Sequence, residues 1–164
     1  MLIGLISDTH DNLPAITEAV KHFNSMRVGL VLHAGDYVAP FTFNAYRELK
    51  CRLVGVFGNV DGDRRLLRER FSSLNFKVEN EFEEVEVEGT KIALLHGVHQ
   101  QIVEALALSG KYDVVVHGHT HVKRLERIGK TLVVNPGETC GYLYGVKSIA
   151  ILDTATLKVE FKEL

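Results

Sequence analysis

Residues 2–10 read LIGLISDTH: an apolar run passes through Ser7 and ends on Asp8 and His10, a carboxylate and an imidazole two residues apart. The arrangement recurs along the chain. GLVL at 29–32 leads into His33, Ala34, Gly35 and Asp36, and LVGVF at 53–57 leads into Gly58 and Asn59. IALL at 92–95 ends on His96, and VVV at 114–116 ends on His117, Gly118, His119, Thr120 and His121. Short apolar runs bounded by glycine read as buried strands. In an open α/β sheet the carboxyl ends of parallel strands share one rim, so side chains remote in sequence converge there. Asp8, His10, Asp36, Asn59, His96, His119 and His121 are therefore expected to form one site. Their oxygen and imidazole nitrogen donors suit two divalent ions.

Outward from these runs, the first half alternates strand and helix. Pro14 suits a first helical turn, and Ile16, Ala19, Val20 and Phe23 recur at helical spacing with Met26 closing the stripe. Further helices are expected within Phe41 to Leu49 and near Asp63 to Phe71, which implies parallel strands joined by right-handed crossovers. The second half changes character. Val85 and Val87 alternate with glutamates, Glu88-Gly89 turns, and Lys91 to Leu95 returns as a hairpin. After a helix near Gln100 to Leu108, turns at Ile128-Gly129 and Asp153-Thr154 separate segments 122–127, 131–134, 148–152 and 158–161, which reads as a meander. Two sheets packed face to face with helices outside would cover every apolar face.

A chain of 164 residues with 46% hydrophobic and 24% charged residues supports one core and is short for two domains, so residues 1–164 are expected to form a single domain. Nineteen basic against 21 acidic side chains give no basic field, so duplex nucleic acid is not an expected partner. Cys51 and Cys140 are far apart and form no C-x-x-C, which argues against a disulfide framework and for a reduced, cytoplasmic setting. Asp8 interrupts the first apolar run before a signal core is complete, and no stretch is long enough for a membrane span.

The ordered motifs carry a resemblance. D-x-H at Asp8 and His10, G-D at Gly35 and Asp36, G-N at Gly58 and Asn59, H-G at His96 and Gly97, and G-H-T-H at 118–121 resemble the calcineurin-like metallophosphoesterase family. The likeness runs from Ile6 through Asn135-Pro136-Gly137 and is closest to the small single-domain bacterial and archaeal phosphodiesterases. It implies an α/β fold, a four-layer αββα sandwich of two mixed β-sheets with helices on the outer faces. It also implies that Asp8, His10, Asp36 and His121 hold one ion while Asp36, Asn59, His96 and His119 hold the other, with Asp36 bridging. A hydroxide on that dinuclear centre would attack a small phosphodiester, with Asp36, Asn59 and His96 carrying the chemistry. Two such ions about 3.5 to 4 Å apart bind phosphate oxygens and lower the pKa of water. The mixed donors favour manganese, with nickel, cobalt, iron, zinc or magnesium as substitutes. The competing implication is a non-catalytic protein-binding scaffold, as in the retromer subunit that shares the fold.

One position departs from the larger relatives, which place a histidine directly after the metal-binding asparagine to protonate the leaving group. Here Val60 stands there. Good leaving groups should suffer least, so aryl phosphodiesters are the expected assay substrates.

Plainer readings stand beside the sharp ones. Asp8, Asp36 and Asn59 taken singly are ordinary turn or cap residues; the histidines beside them reverse that reading. His33 and His117 are expected to be structural or supporting, His22 to be at the surface, and His99 to be an exposed loop residue. Asp61 and the Asn135 loop are candidate acceptors for ligand histidine rings. Arg64, Arg65, Arg68 and Arg70 read as a solvated helix face, and Cys140 as an ordinary buried thiol. Phe41, Phe43, Tyr142 and Tyr144 are candidates for a pocket rim or a homo-oligomer contact, with packing as the default.

Overall fold

The computed structural model describes residues 1–164. The first apolar run forms β1 (Leu2–Ile6), followed by α1 (Leu13–Met26), β2 (Leu30–His33), a 3₁₀ helix (Pro40–Tyr46), β3 (Arg52–Val56), α2 (Arg64–Ser72) and β4 (Lys77–Asn80). The second half supplies β5 (Phe82–Val87), β6 (Thr90–Leu95), α3 (Gln100–Leu108), β7 (Val114–Val116), β8 (Arg124–Ile128), β9 (Thr131–Asn135), β10 (Ser148–Asp153) and β11 (Lys158–Glu163).

The strands form two mixed sheets, ordered β11-β10-β1-β2-β3-β4 and β5-β6-β7-β9-β8. Within the first, β1 to β4 run parallel and β10 joins β1 antiparallel. Within the second, β6, β7 and β9 run parallel while β5 and β8 close the edges antiparallel. The pleat of β1 shows how the layers form. Ile3 and Leu5 face the second sheet, in a fully buried cluster with Leu32, Ile92, Leu94, Val114 and Val116, whereas Ile6 faces the helices with Ile16, Val20 and Phe23. Helix α3 covers the outer face of the second sheet through Val103 and Ala107, which contact the cluster of Ala93, Val115 and Val133. The order is helices, sheet, sheet, helix, as the family resemblance implied.

Local chemistry explains the helix boundaries. Asn12 caps α1 by accepting from Ala15 N–H at 3.2 Å, Pro14 lies in the first turn, and Arg27 ends the helix with φ 53°. Ala15, Ile16, Ala19, Val20 and Phe23 form its buried face. Met26 is 38% exposed and does not close the stripe. Asp63 caps α2 through Leu66 N–H.

Two expectations are corrected, and one strand had not been expected. The segment expected as a helix within Phe41 to Leu49 is a 3₁₀ helix, in which backbone N–H groups reach carbonyls three residues back, as Thr42 N–H does to Ala39 at 3.1 Å, and the Thr42 and Asn44 side chains bond the Ala39 and Phe41 carbonyls as well. β4 had no clear signal: in KVEN only Val78 is buried, as befits an edge strand. The closing strands are not one meander. β8 and β9 pair in the second sheet, and the chain then crosses to the first, where β10 and β11 form a separate hairpin beside β1. Residues 148–152 are buried throughout, so β10 needs a covered face on both sides, and the flank of β1 between the layers provides it.

Candidate metal centre

The loops after β1, β2, β3, β6 and β7 meet at one rim, and backbone hydrogen bonds stitch them together. Asp8 N–H donates to the Gly35 carbonyl at 3.1 Å, His10 N–H to Asp36 at 2.9 Å, Gly118 N–H to His96 at 2.9 Å and Cys140 N–H to Asp8 at 3.0 Å. This network holds an unusual backbone. Asp8, His10, Asp36, His119 and His121 all have positive φ, between 44° and 67°. Asp and His tolerate this region better than most residues, but so many at one rim require surroundings that over-determine the conformation. Val38, at φ 69°, is the most strained, because a branched Cβ crowds its own backbone there. Two glycines are required by space. A Cβ on Gly58 would lie 2.0 Å from Asp36 Oδ1, and one on Gly118 would lie 1.8 Å from Ser7 Oγ.

The seven residues singled out from the sequence come together. Ligand atoms of Asp8, His10, Asp36 and His121 all lie within 4.8 Å of one another. His121 Nε2 is 3.4 Å from Asp8 Oδ1, and Asp36 Oδ2 is 4.0 Å from His10 Nε2 and 3.2 Å from His96 Nε2. His119 Nδ1 lies 2.9 Å from Asn59 Oδ1, and the His96 and His119 rings are 5.1 Å apart. Asp36 thus stands between a group with Asp8, His10 and His121 and a group with Asn59, His96 and His119.

The donor atoms fit metal ions on an independent observation. His10 Nε2 and His96 Nε2 are buried and have no hydrogen-bond partner, although both face Asp36. Two donors each about 2.1 Å from a shared ion sit about 3 to 3.5 Å apart at octahedral to tetrahedral angles. The separations among these side chains fall in or near that range.

Ring orientation follows from the second nitrogen of each histidine. His96 Nδ1 donates to the Ala34 carbonyl at 2.7 Å, which leaves Nε2 bare toward Asp36. His121 Nδ1 donates to Glu138 Oε2 at 2.7 Å. Glu138 was missed from the sequence. It is buried, and its carboxylate also accepts from Leu143 and Tyr144 N–H at 3.0 and 2.6 Å. Burial pushes it up, but His121 and these donors outweigh that and hold it below the usual carboxylate range. Only a glutamate just after Asn135-Pro136-Gly137 could have hinted at this in the sequence.

Asp61 and the Asn135 side chain do not receive histidine rings, whereas the loop that follows Asn135 does, through Glu138. Asp61 accepts from the N–H groups of Asp36, Tyr37, Val38 and Gly58, so it shapes the two loops that carry Asp36 and Asn59. Asn135 donates to the Gly118 carbonyl and Thr120 Oγ1, bracing the GHTH loop. A short carboxylate or amide meets backbone N–H and C=O groups before it reaches a ring, and these loops are crowded with both.

Charge and burial divide the ionisable groups. Burial raises Asp8 despite the attraction of His96 and His121. Burial also acts on Asp36, but His96, Val60 N–H and His10 outweigh it and lower its pKa. His96 is desolvated, yet its attraction to Asp36 wins and raises it. His33 and His117 are buried outside the donor group and pushed down to about 3 and about 4 by desolvation. His33 is structural: Nε2 contacts Thr9 and Tyr46, Nδ1 accepts from Gly35 N–H, and the ring stacks on Tyr37 at 3.9 Å.

Beside Asn59 and His96 opens a cleft of about 730 Å³, whose walls include exposed His99. Arg64 also borders it and is not a free solvated side chain. It donates to the Gly58 carbonyl at 2.9 Å, pairs with Glu81 and stacks over Phe57. Arg65 stays in solvent with Glu69, Arg68 and Arg70 lie over Phe57 and Phe43, and His22 is at the surface of α1. Both cysteines are free. Cys140 is buried within 4.8 Å of donor atoms of His10 and His121, its thiol pushed up to about 12 by burial and Glu138. Phe43 is core, whereas Phe41, Tyr142 and Tyr144 are exposed; the Tyr142 ring lies 6.2 Å from His10. No helix is long and apolar enough to cross a membrane.

Comparison with known proteins agrees with this architecture. Residues 1–157 match the family model of the calcineurin-like phosphoesterase superfamily domain. Phosphodiesterase MJ0936 of Methanocaldococcus jannaschii is 42% identical, covering 100% of this chain and 98% of its own length. A solved structure of an archaeal phosphodiesterase superposes with a TM-score of 0.96 at 40% identity, covering 100% of both chains. A Vps29 variant of Entamoeba histolytica superposes with a TM-score of 0.73 at 21% identity, covering 100% of this chain and 99% of its own, and shares the fold.

Proposed function

The chain belongs to the calcineurin-like phosphoesterase superfamily, and from that membership we propose that it is a metal-dependent phosphodiesterase formed by one domain over residues 1–164. The observation that carries the reading is the pair of buried imidazole nitrogens without a hydrogen-bond partner, His10 Nε2 and His96 Nε2, that both face Asp36 Oδ2. We assign Asp8, His10, Asp36 and His121 to one divalent ion and Asp36, Asn59, His96 and His119 to a second, with Asp36 shared. When bound, such ions supply Lewis-acid polarisation of phosphoryl oxygens and water of lowered pKa.

The protein's own contribution is orientation. Ala34 fixes the tautomer of His96 and Glu138 that of His121, so each presents a bare Nε2 to the rim. Val60 N–H donates to Asp36 Oδ1 at 3.2 Å, and Asp61 pins the loops on either side. The Val60 side chain cannot protonate a leaving group, so diesters of acidic alcohols such as aryl phosphodiesters are the favoured substrates. We take manganese as the favoured ion on the mixed oxygen and nitrogen donor set, and a cytoplasmic setting on the two free thiols. The scaffold reading fits less well, because every donor position carries a competent ligand.

Stripping the protein with chelator, restoring manganese and following bis(p-nitrophenyl) phosphate tests this. Hydrolysis should vanish and return with the metal. Turnover that survives chelation, or that no divalent ion restores, rejects the proposal. Asp36→Ala removes a donor from both groups and should nearly abolish turnover in a folded protein.

A further inference from the structure

We propose that the cleft beside Asn59 and His96 is the subsite for one organic arm of the diester and that it selects a planar, uncharged aromatic group of nucleobase size. The inference rests on the phosphodiesterase reading and adds the substrate class. Asn59 and His96 form part of the cleft wall, so a phosphoryl group at the donor cluster would point one of its ester arms directly into it. The volume, about 730 Å³, falls within the usual range for small-molecule sites.

Its lining is chemically selective. Phe57 and Leu95 form a buried floor, while Phe82, Val98 and Ile102 are 38%, 43% and 50% exposed on the sides. Large apolar side chains from β5, the His96 loop and α3 thus face one opening, where a flat apolar ligand would cover them. The charges at the rim cancel. Arg64 is paired with Glu81 and bonded to the Gly58 carbonyl, so it has little capacity left for a second phosphate. Stacked over Phe57, its guanidinium presents a flat face against which a planar ring can lie. An alkyl arm would gain less from that face, and a charged arm would lose water without gaining a partner.

Phosphonates test this without the complication of leaving-group chemistry. Isothermal titration of the manganese-loaded protein with methylphosphonate and phenylphosphonate reads binding, and bis(p-nitrophenyl) phosphate turnover is followed separately. Phenylphosphonate should bind roughly tenfold or more tightly than methylphosphonate, as expected for about 60 Å² of ring surface withdrawn from water. Ile102→Asn and, independently, Val98→Asn, which remove apolar surface without adding charge beside the anion, should reduce that ratio to about twofold or less, while methylphosphonate, which has no ring to place, keeps its affinity. Both positions are exposed, so neither substitution opens the core. Equal binding of the two phosphonates, no binding of either, or a ratio that neither variant moves overturns the subsite. Loss of metal-dependent turnover with the ring preference intact would instead overturn the phosphodiesterase reading.

Discussion

Glu138→Gln keeps the shape of a buried side chain and changes one thing, the identity of the group facing His121. In the native protein Oε2 accepts from His121 Nδ1 at 2.7 Å and from Leu143 N–H at 3.0 Å, while Oε1 accepts from Tyr144 N–H at 2.6 Å. Glutamine can retain one oxygen acceptor but must place an NH₂ at the other position. If the amide faces His121, it meets the Leu143 N–H as donor against donor and drives the His121 proton onto Nε2, the nitrogen 3.4 Å from Asp8 Oδ1. If the amide is reversed, Tyr144 loses its acceptor and His121 keeps only a neutral one. Either way at least one charge-assisted bond is lost, and each such bond contributes about 1.5–3 kcal/mol. Manganese affinity should fall by about 10- to 100-fold, the usual consequence of removing a partner that orients a metal-binding histidine. Titrating the metal-free protein with manganese, followed by the electron paramagnetic resonance of the free ion, gives the affinity, and turnover at saturating metal gives the residual activity. Manganese binding within about threefold of wild type, with turnover unchanged, would refute this role for Glu138.

Other consequences are open to test. Val60→His should restore a proton donor and raise turnover of alkyl-leaving diesters by up to about a hundredfold while changing p-nitrophenyl diesters little; equal effects on both classes would argue against missing acid catalysis. Gly118→Ala would place a methyl group 1.8 Å from Ser7 Oγ and 2.6 Å from Asp8 Oδ2, so it should lower stability by about 1–3 kcal/mol and weaken metal binding, as read by urea unfolding and calorimetry. Acid should destabilise the metal-free protein through His33. Its folded pKa is depressed to about 3, so between that value and the unfolded value near 6.5 only the unfolded chain takes up the proton. The stability is therefore complete above about pH 6.5 and is lost as pH falls, by up to about 1.4 kcal/mol per unit. His33→Gln should flatten the urea-unfolding profile between pH 6.5 and 4.5 by most of that slope, and parallel profiles would contradict it.

Much of the site was legible because its residues follow strands. Asp8, Asp36, Asn59, His96 and the GHTH histidines each come directly after an apolar run, and parallel strands deliver their carboxyl ends to one edge. What read less well depended on contacts with no local signature. Glu138 lies on an irregular segment, and its meaning comes from His121, 17 residues away. Asp61 and Asn135 were conspicuous as polar residues, but whether they would meet rings or backbone depended on loop paths that spacing does not specify. Arg64 read as solvated because helical periodicity reports a face and not the neighbour, here Phe57, that the face meets.

Local pattern by itself determined which segments become strands, the edge strand β4 apart, since burial on one or both faces is written in the spacing of apolar residues. It also determined the donor types available at the strand ends, since ligand chemistry belongs to the side chain. Only the tertiary structure decided that β10 lies beside β1 and not next to β9, and that Glu138 receives the ring of His121. It also placed an apolar cleft from β5 and α3 against Asn59 and His96. These outcomes depend on how two sheets share a core, a long-range balance of burial that no short window of sequence contains.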